Sequence, residues 1–158
     1  MISVDPPGNL IANFYTPADI GLSLGPSIFM RSTKKEIMTT QETAARYHEL
    51  ASQRKFIEIQ DTLYDENVVC QEPEKAASMG MAVITNGREA VKSKGIARRA
   101  TIETVHSYTC SEPIVAGEFF SVVLKQDVTF KGKPRVTLEE IGVFHVKDNK
   151  IIKEQFFY

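Results

Sequence analysis

Three glutamates in this chain, Glu72, Glu140 and Glu154, each lie within or beside an apolar, strand-like run: NVVCQEP, EEIGVFHV and IIKEQFFY. A carboxyl held against an apolar wall loses the hydration that favours its charged form. Its pKa rises, and it can then take or give a proton near neutral pH. Asp127, in KQDVTF, is a weaker candidate of the same kind. For each acid the competing reading is an ion pair with lysine or arginine, or a solvated face. His106, mid-run in ETVHSYTC, and His145, in GVFHV, could orient a ligand or share a proton with one of these acids. Both are the partners expected for Glu154, against the reading of satisfied sheet residues. His48 sits beside Glu49 in a helical stretch and reads as surface. Tyr47, Tyr64 and Tyr108 each offer a phenol to an oxyanion or carbonyl. The alternative for each is core packing with the hydroxyl tied to backbone. No two histidines have metal-ligand spacing, so neither a metal site nor a cofactor is expected.

The elements that must position these groups are legible in part. Thr39 and Glu42 in TTQETAARYHELA have capping-box spacing, and Tyr47, Leu50 and Ala51 follow at helical intervals. KFIEIQDTLYDE predicts a second helix, with Phe56, Ile59 and Leu63 on one stripe. NVVCQEP predicts a short strand ended by Pro73, and EKAASMGMAVIT reads as loop. A third helix opens after Asn86 and Gly87 in NGREAVKSKGIARRA, weakened at Gly95. Its Arg88, Lys92, Lys94, Arg98 and Arg99 read as a solvated face, and the glycines lack the spacing of a phosphate-binding loop. From Thr101 the chain is rich in β-branched residues and predicts four antiparallel strands joined at AGE, KGKP and KDNK. Asp148 and Asn149 suit the left-handed positions of a two-residue hairpin. Helices followed by strands indicate an α+β domain.

Strict alternation through the last two hairpins assigns faces. It pairs Leu124 with Ile141, His145 with Ile152 and Val143 with Glu154. One face then collects Phe120, Val122, Leu124, Ile141, Val143, His145, Ile152, Glu154, Phe156 and Tyr158. The other collects Val123, Lys125, Glu140, Phe144, Gln155 and Phe157. The first is more apolar and is taken as the interior, so Glu154 is expected inside among Val122, Val143 and Phe156. A single bulge would exchange the faces beyond it.

Composition sets the outer limits. The 158 residues suit one domain with an extra arm; 42% are hydrophobic and 25% charged, an ordinary globular balance. A net charge of −1 gives no footprint for nucleic acid or an anionic membrane surface. No run is long and apolar enough to span a bilayer, and the first basic residue is Arg31, so a signal peptide is not expected. Cys70 and Cys110 form no CxxC pattern and read as buried free thiols of a cytoplasmic protein, with a disulfide between them left open. Residues 1–38 hold four of the seven prolines yet also Phe14, Tyr15, Leu22 and Phe29. They are read as an arm docked on the body or a partner, preceding a domain at 39–158.

The segments LYDENVVCQEP, NGREAVKSKG, VHSYTCSEPIVAGEFF, QDVTF and EEIGVFHVKDNKIIKEQFFY, over about 40–158, resemble the SnoaL-like branch of the nuclear transport factor 2-like superfamily. The resemblance implies a cone: three helices packed on a bent, mainly antiparallel sheet, with a pocket at the open end. It also implies a homodimer through the outer sheet face, for which Val123, Phe144 and Phe157 would supply the apolar patch. Superfamily members include isomerases, polyketide cyclases, dehydratases and proteins that only bind ligands. The expectation is a small-molecule pocket used for carboxylate acid–base chemistry, or else a non-catalytic ligand-binding or dimerising module.

Overall fold

The computed structural model describes residues 38–158; the arm and its expected docking fall on residues outside these. Helix α1 spans Thr40–Ser52 and α2 spans Phe56–Leu63. The capping box forms as predicted: the Thr39 hydroxyl accepts from the Glu42 amide, and the Glu42 carboxylate accepts from the Thr39 amide. Strand β1 (Tyr64–Gln71) begins directly at the end of α2, so that helix is shorter and the strand longer than expected. A 3-10 turn (Glu74–Met79) and strand β2 (Ile84–Asn86) follow where a plain loop was expected. Helix α3 is Arg88–Ala100. Then come β3 (Ile102–Cys110), β4 (Ile114–Ala116), β5 (Phe119–Phe130), β6 (Arg135–Lys147) and β7 (Lys150–Phe157). Pro113 lies at the break between β3 and β4, where it cannot donate to a ladder.

The sheet runs β2-β1-β7-β6-β5-β3, with β4 added to β5. All pairings are antiparallel except β1 with β7, which sets Cys70 beside Glu154. The helices pack on the concave face through a core that includes Leu50, Ile59, Leu63, Phe120 and Ile151. Among the described residues no helix is long and apolar enough to cross a membrane.

Two one-residue departures from simple alternation decide what faces inward. In the β5–β6 turn Lys133 N donates to Phe130 O and Gly132 takes a left-handed φ of 68°. Thr129 consequently pairs with Arg135, and Leu124 pairs with Glu140 rather than Ile141. The faces of β6 are therefore the reverse of those expected: Phe144 is fully buried and Ile141 is exposed. Glu140 turns inward, and Val143 and His145 turn outward. The β6–β7 turn is the predicted one, with φ of 49° at Asp148 and 67° at Asn149. Beyond it Val146 pairs with Ile151 but His145 pairs with Lys153, which leaves Ile152 as an extra residue in a bulge. The bulge reverses β7 once more, and Glu154 ends on the inner face, opposite Phe144 rather than Val143.

Close packing on that face requires Gly142. A Cβ there would lie 2.9 Å from the Phe144 ring and 3.3 Å from the Phe156 ring. The Phe144 ring stacks on Phe120 at 4.7 Å between centroids and meets Tyr47 at 4.5 Å. Tyr47 and Phe156, at the edge of this cluster, line the same cavity as the acids.

Candidate active site

Between α2, α3 and the inner sheet face lies a cavity of about 160 Å³. Phe56, Val91, Ile102, Leu124 and Phe156 give it apolar walls, and Glu72, Glu140 and Glu154 all reach it. A second cavity of about 230 Å³ lies beneath the 3-10 turn and shares Arg98, Glu140 and Tyr158 with the first. Glu140 thus stands where the two meet.

The three acids have different surroundings. Glu154 is 4% exposed and accepts a hydrogen bond at Oε2 from the hydroxyl of Tyr64, the residue that joins α2 to β1. Burial raises its pKa, and hydrogen bonds from Tyr64 and Cys70 work in the opposite direction. The Tyr64 phenol is itself pushed well up by burial and by the neighbouring Glu154 charge. Glu72 is held by the Lys94 ammonium at 2.6 Å on one oxygen and by the Tyr158 hydroxyl at 3.2 Å on the other. Lys94 also lies 3.3 Å from Cys70 Sγ. Burial acts against the Lys94 charge, but the bonds to Glu72 and Cys70 outweigh it and the pKa is raised. A polar chain thus runs along one wall: Tyr158, Glu72, Lys94, Cys70, Glu154, Tyr64.

Glu140 belongs to no such chain. Among the described residues it makes no hydrogen bond or ion pair, and burial pushes its carboxyl up to about 7. The charges of Glu72 and Glu154 push the same way; Arg98 and Lys94 oppose them. A carboxyl titrating there is half ionised at neutral pH, where a general base is most useful.

The remaining candidates separate by face. Tyr47 and Tyr108 line the cavity; Tyr47 is buried against Phe120 and Phe144, and Tyr108 meets Phe56 edge-on at 5.5 Å. His145, expected inside, lies on the outer face, stacked on Phe119 at 4.3 Å and 3.4 Å from Glu118. His106 bonds Thr129 Oγ1 at 2.9 Å on the exposed side of β3. Neither reaches Glu154, whose hydrogen-bond partner is Tyr64 and whose neighbour on β1 is Cys70. Asp127 is an ion-paired acid, bound through both oxygens by Arg135 at 2.8 and 2.5 Å. The two cysteines are free, Cys70 buried and Cys110 only half-buried.

Helix α3 corrects a further expectation. Lys94, Arg98 and Arg99 line the cavity instead of forming a solvated face. The signal was present: Val91, Lys94, Gly95 and Arg98 share one helical stripe, and Val91 is the apolar residue that must face inward. Gln60 of α2, also in the wall, carried no comparable signal.

The sequence model of the SnoaL-like domain matches residues 38–158. The chain belongs to the SnoaL-like family. Among solved structures, this SnoaL-like chain is similar to a proposed SnoaL-like polyketide cyclase from Mesorhizobium loti, with 30% identity and a TM-score of 0.70, over 77% of this chain and 100% of that one. It is also similar to an NTF2-like protein of unknown function from Burkholderia pseudomallei (17% identity, TM-score 0.63, 77% and 92% covered). A proposed isomerase from Bacillus subtilis aligns over 75% of this chain and 88% of its own, at 17% identity and a TM-score of 0.60. The latter two show the fold alone. No curated protein matches the chain.

Proposed function

We propose that this SnoaL-like protein is a small-molecule acid–base enzyme, an isomerase, cyclase or hydro-lyase, in which Glu140 moves the proton. The observation that carries the reading is Glu140 itself: an inward carboxyl, making no ion pair or hydrogen bond among the described residues, at the junction of two cavities. Glu72, locked to Lys94, has a supporting role. Glu154 keeps Tyr64 and Cys70 in place and lends the wall a second proton-holding group. Proton transfer of this kind needs no cofactor.

The reading can be tested without knowing the natural substrate. Nitrobenzisoxazole is about the size of the cavity and opens when a base removes its ring C–H proton; the N–O bond then breaks, giving a nitrile and a phenolate. The base must be ionised to act. The catalysed rate should therefore be low in acid, rise through a midpoint near 7 and level off above it, following Glu140. A rate that tracks bulk hydroxide, with no protein-dependent plateau, would leave the alternative: a non-catalytic binding module.

The same reading includes a homodimer through the convex face. Phe144 is interior and cannot contribute. Instead, Val123, Ile141 and Phe157 form a continuous row across β5, β6 and β7, being 38%, 46% and 47% exposed. Apolar side chains in such a row favour burial against a second surface. Light scattering at micromolar concentration should give a dimer mass, and Ile141→Lys should return the monomer. A wild-type monomer at that concentration rules the interface out.

A further inference from the structure

We propose that the α3 side of the cavity is built for a small organic monoanion: a carboxylate on a single ring or an apolar body of that size, with its charge on Arg99. The proposal rests on the small-molecule reading above and names the substrate class. Three polar atoms lining the cavity are buried and have no hydrogen-bond partner among the described residues: Arg99 Nη2, the Tyr108 hydroxyl and Gln60 Oε1. Gln60 is only 8% exposed, so bulk water does not satisfy it. Buried polar atoms are nearly always paired, and three orphans lining one cavity, from α2, α3 and β3, point to a partner that would sit between them.

Their chemistry fits one ligand. A guanidinium and a phenol both donate, and a carboxylate accepts from both. Gln60 Oε1 accepts, which suits a hydroxyl or amine beside the carboxylate. Arg99 is held for this role. Its guanidinium lies over the Phe56 ring at 5.5 Å and folds back along α3 onto Gly95. A Cβ at position 95 would meet Arg99 Nη1 at 3.2 Å and Gln60 Nε2 at 3.4 Å, so the bare glycine makes the cradle. No acid among the described residues offsets the burial of this cation. Lys94, the neighbouring cation, is already committed to Glu72. The space sets the size. About 160 Å³ is close to the volume of a cavity that takes one benzene. Phe56, Tyr108, Leu124 and Phe156 supply the ring's surroundings.

The test compares benzoate with benzamide, its neutral counterpart of equal shape, by titration calorimetry on the full chain. At about pH 6 benzoate is charged while Glu140 is mostly neutral. Benzoate should bind roughly tenfold tighter or better. Arg99→Met should abolish that preference, and Arg99→Lys should keep part of it, because a point charge replaces the fork. Thermal melts of both variants confirm that they are folded. Equal affinity for the two ligands, no binding of either, or a preference that survives Arg99→Met would each overturn the proposal. The outcome is separate from the proton-transfer reading. Ring opening of nitrobenzisoxazole without a benzoate preference sinks the anion assignment alone, and a benzoate preference without ring opening sinks the catalytic reading alone.

Discussion

Glu140→Gln should abolish nitrobenzisoxazole turnover, by about 100- to 10,000-fold, and should at the same time stabilise the protein above neutral pH. The two effects share a cause. Burial raises the folded-state pKa of Glu140 to about 7 from the ordinary 4.5. For a group raised in this way, its share of stability is fully present below the unfolded pKa and is lost as pH rises through the folded one. Between about pH 4.5 and 7 the wild-type protein therefore becomes progressively less stable than the variant, whose amide does not ionise. Each pKa unit is about 1.4 kcal/mol, and Glu140 is only partly buried, so a gain of about 1–3 kcal/mol at pH 8 is reasonable. Near pH 4 the two proteins should have closely similar stability apart from any small packing difference. Urea melts at the two pH values measure this directly. A variant less stable than wild type at pH 8 would show that the Glu140 carboxylate has a stabilising partner, and that Glu140 is structural.

Local signals carried the reading of the fold. The capping box at Thr39 and Glu42 and the left-handed pair Asp148–Asn149 depend on a few neighbouring residues, and both form as their chemistry dictates. The faces of the strands depend on counting residues through turns, and one residue is enough to exchange them. Gly132 in its left-handed turn shifts β6 by one position, bringing Glu140 and Phe144 inward and putting Ile141, Val143 and His145 outside. The bulge at Ile152 then restores the expected side for Glu154 and Phe156. Glu154 thus lies on the expected inner face because two departures cancel. The inward position of the α3 cations has another cause. Charge alone suggests solvent, whereas Lys94, Arg98 and Arg99 follow Val91 around the helix and line a cavity shared with Glu72 at the end of β1, Glu140 of β6 and Glu154 of β7, far away in sequence. Such a meeting is a property of the tertiary structure, and no window of sequence contains it.

The second large effect is expected at the buried pair Tyr64–Glu154. Glu154→Ala removes a side chain that is 4% exposed, opens a void beneath Phe144 and Phe156, and leaves the Tyr64 hydroxyl without its acceptor. Void and orphaned donor together should cost about 2–5 kcal/mol. Tyr64→Phe removes only the donor and should cost about 1–3 kcal/mol. The double variant should be less unstable than the sum of the two, because the hydroxyl lost in one change is the orphan created by the other; a coupling of about 0.5–3 kcal/mol is expected. The pH dependence gives an independent check. The Tyr64 hydrogen bond favours the charged form of Glu154, so its loss raises further a pKa that burial has already raised. By the same linkage, the added penalty is absent below the ordinary carboxyl range and grows as pH rises above it. Tyr64→Phe should therefore cost more at pH 8 than near pH 4, as read from denaturant melts at each pH. A cost that does not change with pH would mean that Glu154 stays protonated throughout. In that case its Oε2 accepts from Tyr64 as a neutral acid, and the wall beside Glu140 carries one negative charge fewer when a substrate anion enters.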